Sequence, residues 1–138
     1  MLDTAVTQLK RLDLTDNYIG PGGAFTTFLM QLQHLTSLEE LILSNNPLTP
    51  ECVKRLCDVI RCLPSLRTVR LISCNIHAMS ARYLVRLASC CDNLDEIDLS
   101  NGVNSKFTND FPPKYMDKLR SICSRRRAAD APNQIQRY

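Results

Sequence analysis

The chain has 138 residues, with 17 lysines and arginines against 14 aspartates and glutamates, a formal net charge of +3, seven cysteines and no tryptophan. That length suits one domain with a core of its own, and the small positive excess is scattered rather than striped, which speaks against nucleic acid as a partner. No apolar run approaches the roughly 20 residues that span a bilayer, and Met1 to Gln8 lacks the charged start and apolar centre of a signal peptide, so an intracellular, cytoplasmic chain is expected.

From residue 9 onward one pattern recurs. It reads Leu9-x-x-Leu12-x-Leu14-x-x-Asn17-x-Ile19, then Leu38-x-x-Leu41-x-Leu43-x-x-Asn46-x-Leu48, then Leu66-x-x-Val69-x-Leu71-x-x-Cys74-x-Ile76, with a weaker copy from Leu94. The anchoring leucines at positions 9, 38, 66 and 94 are almost evenly spaced. A fixed period of this size means that each unit buries its apolar side against its neighbours, which is the rule of a solenoid.

Within each unit, apolar residues three and then two apart suit a short strand behind one anchoring leucine. Asn17, Asn46 and Cys74 follow the strand, where a small polar side chain satisfies released backbone groups. The second half changes period. Phe25, Phe28, Leu29 and Leu32, then Val53, Leu56, Cys57 and Ile60, then Ala81, Leu84, Val85 and Ala88 read i, i+3, i+4, i+7, one apolar stripe on a helix. Thr49, Pro50 and Glu51 supply a capping hydroxyl, a first-turn proline and an acid at the positive dipole end, and Pro64 bars that helix from continuing. A core residue stands three places before each anchoring leucine, at Val6, Leu35, Leu63 and Cys91.

The fourth unit departs from this. Leu94-x-x-Ile97-x-Leu99 is intact, yet Gly102 replaces the Asn or Cys, the loop through Asn104 and Asn109 is longer, and the helix carrying Tyr115, Met116 and Leu119 is expected about three residues late. Terminal repeats are commonly atypical because they cover the last core face, so residues 102–124 read as a C-terminal cap. Residues 125–138, opening on Arg125, Arg126 and Arg127, hold too few apolar side chains for another unit and read as a solvated tail. The three arginines also fit a nuclear address. At the other end, Leu2 to Val6 resembles the last turn of a preceding helix, and the strand from Leu9 to Leu14 presents an open edge. Either a partner or upstream repeats of a longer solenoid cover it.

These registered units resemble the leucine-rich repeat family, and the alternating period, slightly longer between Leu9 and Leu38 than between later leucines, with a full helix in each unit, is similar to its ribonuclease inhibitor-like subclass. The resemblance covers residues 6 to about 101. It implies an α/β horseshoe segment, with parallel strands on the concave side and helices on the convex side. The Ran GTPase-activating proteins share this repeat, and innate immune receptors of the NACHT type often carry it downstream. A GTPase-activating accessory and a receptor segment are therefore the alternatives to a non-enzymatic scaffold or assembly subunit.

Candidates for chemistry have plainer roles. Cys52, Cys57 and Cys62 recur every five residues, about 140° apart around a helix, and form no ligand face. Adjacent Cys90 and Cys91 point differently, one toward the core, and no metal or cofactor is expected of these thiols, which read as reduced. Gly20, Gly22 and Gly23 lie between strand and helix as a phosphate loop would, and also as the connecting turn of the repeat. The outward strand positions are the informative surface: Lys10, Arg11 and Asp13; Glu39, Glu40 and Ile42; Arg67, Thr68 and Arg70; Asp95, Glu96 and Asp98. Stacking at about 4.8 Å places equivalent positions side by side, so Lys10, Glu39, Arg67 and Asp95 form a row of alternating sign. With Ile42 exposed among them, this face is expected to bind other proteins through charges around an apolar point.

Overall fold

A computed structural model describes residues 7–123. The expected core role of Val6 and the basic tail fall outside that range. Four parallel strands, β1 (Arg11–Asp13), β2 (Glu40–Ile42), β3 (Thr68–Arg70) and β4 (Glu96–Asp98), stand in the sheet in chain order. Arg11 pairs with Glu40, Glu40 with Thr68, and Thr68 with Glu96. The sequence period is thus the sheet register itself. Three helices return the chain between strands, α1 (Gly23–Leu32), α2 (Pro50–Ile60) and α3 (Ala78–Cys90), and a fourth, α4, runs over residues 113–123.

Local chemistry starts these helices in different ways. Thr49 caps α2, its Oγ1 accepting from the Cys52 N–H at 3.2 Å, with Pro50 in the first turn and Glu51 at the positive end. Gly22 precedes α1 with a φ of 119°, a left-handed conformation that a side chain would strain. Helix α2 stops at Ile60, four residues before Pro64.

The apolar stripes meet the sheet in one continuous core. Phe25, Leu29 and Leu32, then Val53, Leu56, Cys57 and Ile60, then Ala81, Leu84 and Ala88 are buried beneath Leu41, Leu43, Val69, Leu71, Ile97 and Leu99, and Leu119 and Ile122 of α4 join them. The Val, Leu, Ile and Phe side chains among them each contribute roughly 1.5–3 kcal/mol by leaving water. Phe28 and Val85 end half-buried at the margin, as do Leu9, Leu12, Leu14 and Ile19 on the β1 side.

Strands of three residues leave much of each turn without a ladder partner, and one side chain answers for it. Fully buried Asn46 accepts at Oδ1 from the N–H groups of Asn17, at 3.1 Å, and Ile19, at 2.8 Å. Its Nδ2 donates to the carbonyls of Leu14, at 2.9 Å, and Leu43, at 3.0 Å. It therefore ties its own turn to that of the preceding unit. In the next unit the smaller Cys74 donates to the Leu43 carbonyl at 3.1 Å.

In the fourth unit the slot is not left to Gly102. Asn109 fills it: its Oδ1 accepts from Cys74 N–H at 3.0 Å and Ile76 N–H at 2.9 Å, and its Nδ2 donates to the carbonyls of Leu71, at 2.8 Å, and Leu99, at 3.1 Å. Asn46 and Asn109 thus make the same set of bonds, although Asn109 stands seven positions beyond Gly102. Seven residues, 102–108, are inserted, and a reciprocal pair of bonds between Asn101 and Asn109, at 2.7 and 3.0 Å, closes the loop they form. This corrects the expected three-residue delay. The interval from Leu38 to Pro50 in α2, repeated from Leu66 to Ala78 in α3, would start α4 at position 106; it starts at position 113, a delay of seven. Measured from the filled slot, all three begin four residues on.

Replacing Asn46 by Ala strips several buried backbone groups of their partner, and a loss of about 3 kcal/mol is expected in urea denaturation. Asn17→Ala serves as the comparison: that side chain is exposed and donates only to the Thr15 carbonyl, so less than about 1 kcal/mol is expected.

Candidate interaction face

Side chains of β1 to β4 alternate across the sheet, as the pleat requires. Leu12, Leu41, Val69 and Ile97 turn toward the helices, and the remaining strand positions turn to the concave side. There the structure assembles Lys10, Arg11, Asp13, Glu39, Glu40, Arg67, Thr68, Arg70, Asp95, Glu96 and Asp98. A shallow depression of about 490 Å³ lies among Lys10, Arg11, Glu39, Glu40, Arg67, Thr68, Arg70 and Asp95.

Arg70 is the centre of this face. Its Nε donates to Glu40 at 3.1 Å on one side, and its Nη1 donates to Glu96 at 2.7 Å and Asp98 at 3.3 Å on the other. Glu40 in turn accepts from Arg11 Nε at 3.0 Å. One chain of ion pairs, Arg11 to Glu40 to Arg70 to Glu96 and Asp98, therefore crosses all four strands. The bond to Glu40, helped by the charge of Glu96, raises the pKa of the Arg70 guanidinium above the ordinary arginine value, against the partial burial that lowers it. The outer row forms two pairs, Lys10 with Glu39 at 3.7 Å and Arg67 Nε with Asp95 at 2.7 Å.

Two features differ from the sequence expectation. Ile42 is not an exposed apolar point; it is only 7% accessible. It sits between Asp13 and Arg70 in the sheet, and Arg70 bonds Glu40, two residues before Ile42 on β2, beside it. The Arg70 network is the second. Directly opposed positions reveal only part of it, Arg11 with Glu40 and Arg70 with Asp98, because Arg70 also reaches its diagonal neighbours Glu40 and Glu96, two residues back on either side.

The two outer strands end alike. Asp13 Oδ1 accepts from Thr15 N–H at 3.0 Å and Thr15 Oγ1 at 2.6 Å, and Asp98 Oδ1 accepts from Ser100 N–H at 3.0 Å and Ser100 Oγ at 2.7 Å. The bonds from Thr15, hydroxyl first, hold the Asp13 carboxyl below its usual value, assisted by Arg11.

The other candidate groups take structural positions. Cys52, Cys57, Cys74, Cys91 and Cys123 are buried and Cys62 and Cys90 exposed, so adjacent Cys90 and Cys91 do diverge. Burial pushes the Cys57 thiol up to about 12 and the Cys74 thiol up to about 11. Among the described residues no three His, Cys, Asp or Glu side chains gather as metal ligands, and no helix is long and apolar enough to cross a membrane. Gly20 has a packing reason: a Cβ there would stand 2.9 Å from the Pro47 carbonyl oxygen in the next turn.

Strand, turn and helix repeated four times on a parallel sheet, each unit displaced by one period, define a leucine-rich repeat fold. Residues 7–26 and 34–57 match the Leucine Rich repeat family. Over 75 residues the chain is 41% identical to a Tonsoku-like protein of Bos taurus; the match takes in 53% of this chain and 5% of that protein's length. The fold superposes with a TM-score of 0.69 on the tropomodulin C-terminal domain of Caenorhabditis elegans, over 93% of this chain and 72% of that one, at 12% identity. That last likeness is one of fold.

Arg70→Met leaves Glu40, Glu96 and Asp98 without their shared cation, and a loss of about 1–2 kcal/mol is expected in urea denaturation. Lys10→Met, in a far more exposed pair, is expected to cost under about 0.5 kcal/mol. Asp13 has a lowered folded-state pKa, so its stabilisation is present above the ordinary value of 3.8 and is lost as pH falls below it. Asp13→Asn is therefore expected to be less stable than the parent near pH 6, by under about 1 kcal/mol for so accessible a carboxylate, and to match it near pH 2 in parallel thermal melts.

Proposed function

We propose that this chain is a non-enzymatic protein-interaction segment, a scaffold or assembly subunit that holds a partner protein against its concave sheet face. The observation that carries this reading is the Arg70 network. It holds charged side chains of four strands in one arrangement before any partner arrives, so little rotamer entropy remains to be lost on binding. Because Ile42 is buried, recognition on this face is electrostatic: complementary charge selects the partner and speeds encounter more than it adds affinity. The leucine-rich repeat match supports a protein as partner in general terms. The half-buried Leu9, Leu12, Leu14 and Ile19 provide a second, apolar contact on the β1 side, for a partner or for further repeats. Residues 102–124 act as the C-terminal cap, with Leu119, Ile122 and Cys123 buried at that end.

Exchanging the outer pairs tests the face without removing its ion pairs: Lys10→Glu with Glu39→Lys, and Arg67→Asp with Asp95→Arg. The variant is expected to keep the parent's circular dichroism and to lose the stoichiometric proteins that copurify natively with the tagged parent. Retention of the same proteins by the folded variant overturns the concave assignment.

A further inference from the structure

Cys62 and Cys90 occupy the same place in consecutive units. Each stands six residues before one of two directly paired strand residues, Thr68 and Glu96. The chain between thiol and strand follows the same course in both. Leu63 and Cys91, one residue on, are buried; Leu66 and Leu94 are fully buried; and the N–H of Leu66 bonds the Leu63 carbonyl at 3.4 Å as that of Leu94 bonds the Cys91 carbonyl at 3.2 Å. Both thiols are free and exposed.

The two return turns are already joined by a side chain. Asn93, three residues after Cys90, donates from Nδ2 to the carbonyls of Leu63, at 3.3 Å, and Leu66, at 2.6 Å. Helices α2 and α3 also pack more closely than α1 and α2, with Ala81 and Ala88 of α3 fully buried and too small to hold a neighbour away. Neighbouring units lie about 4.8 Å apart at the strands and about 8–10 Å apart at the helix axes. Cys62 lies in the turn just past α2 and Cys90 is the last residue of α3, where the chain leaves the helix level for the strand level; the Cα separation of about 4.4–6.8 Å that a disulfide needs falls largely between those two spacings.

We propose that Cys62 and Cys90 are a thiol pair that closes to a disulfide across the second and third units by exchange with a small-molecule disulfide of the glutathione type. One thiolate attacks a sulfur of the small disulfide, forming a mixed disulfide and expelling a small thiolate. The second protein thiolate then attacks the protein sulfur of that mixed disulfide, forms the bridge and releases the second small thiol. Two protein thiols are oxidised, one small disulfide is reduced to two thiols, and each departing sulfur takes up a proton that a protein thiol gave up. Buried Cys57 and Cys91 stand apart from this exchange, since attack needs an accessible thiolate. The bridge ties the convex sides of the two central units and so sets the curvature behind Glu40 and Arg70.

The test is incubation of the folded full chain with excess oxidised glutathione, alkylation of the remaining thiols, and mass spectrometry of the intact protein and its peptides. A bridged monomer that has lost two hydrogens, carries no glutathione, links the Cys62 and Cys90 peptides and melts higher than the same protein after reduction is the expected result. Cys62→Ser is expected to keep its circular dichroism and to carry one glutathione on Cys90, and Cys90→Ser one on Cys62. Glutathione on both thiols of the parent without a link overturns the proposal. So does a bridge between two chains, a bridge through any other cysteine, or two thiols left unmodified.

Discussion

The solenoid depends on buried side chains that tie its turns together, an amide in the second and fourth units and a thiol in the third. A strand of three residues satisfies few backbone groups, and the turn after it would carry bare N–H and C=O groups into the core. A carboxamide answers both needs at once, with an oxygen that accepts from two N–H groups and a nitrogen that donates to carbonyls of two successive units. Asn46 and Asn109 do this with the same bonds, and Cys74 performs the donor part between them. Among the described residues no buried side-chain nitrogen or oxygen lacks a partner, so the polar demands of the core are met.

With the turns tied, the sheet register is set, and the register creates the charged face. Stacking at one period sets Arg11 beside Glu40, and β3 between the acids of β2 and β4. Arg70 then faces a carboxylate on either side. A rigid, prearranged set of charges is a surface for recognising a shape and charge pattern. The proposed role as an interaction segment rests on that prearrangement.

The insertion at 102–108 shows how tolerant such an architecture is. A loop leaves the slot position and returns through Asn109, the Asn101–Asn109 pair closes it, and helix α4 resumes in step with its neighbours. The outer loop is free to vary because core and register never pass through it; Val103 there is 91% exposed.

The sequence by itself determined the fold class, the period, the strand register and nearly every core position. All of these follow from where apolar side chains fall relative to a repeat of fixed length, and Leu41, Val69, Leu56 and Leu84 needed no further information. Only the tertiary structure decided which side chains meet across units. Asn109 taking the place of Gly102 depends on a loop that folds back on itself, a path that no local spacing encodes. Ile42 lies on the concave side as its position demands, yet it is buried there beside the Arg70–Glu40 pair, and a long flexible side chain chooses among several carboxylates only when all of them are in place.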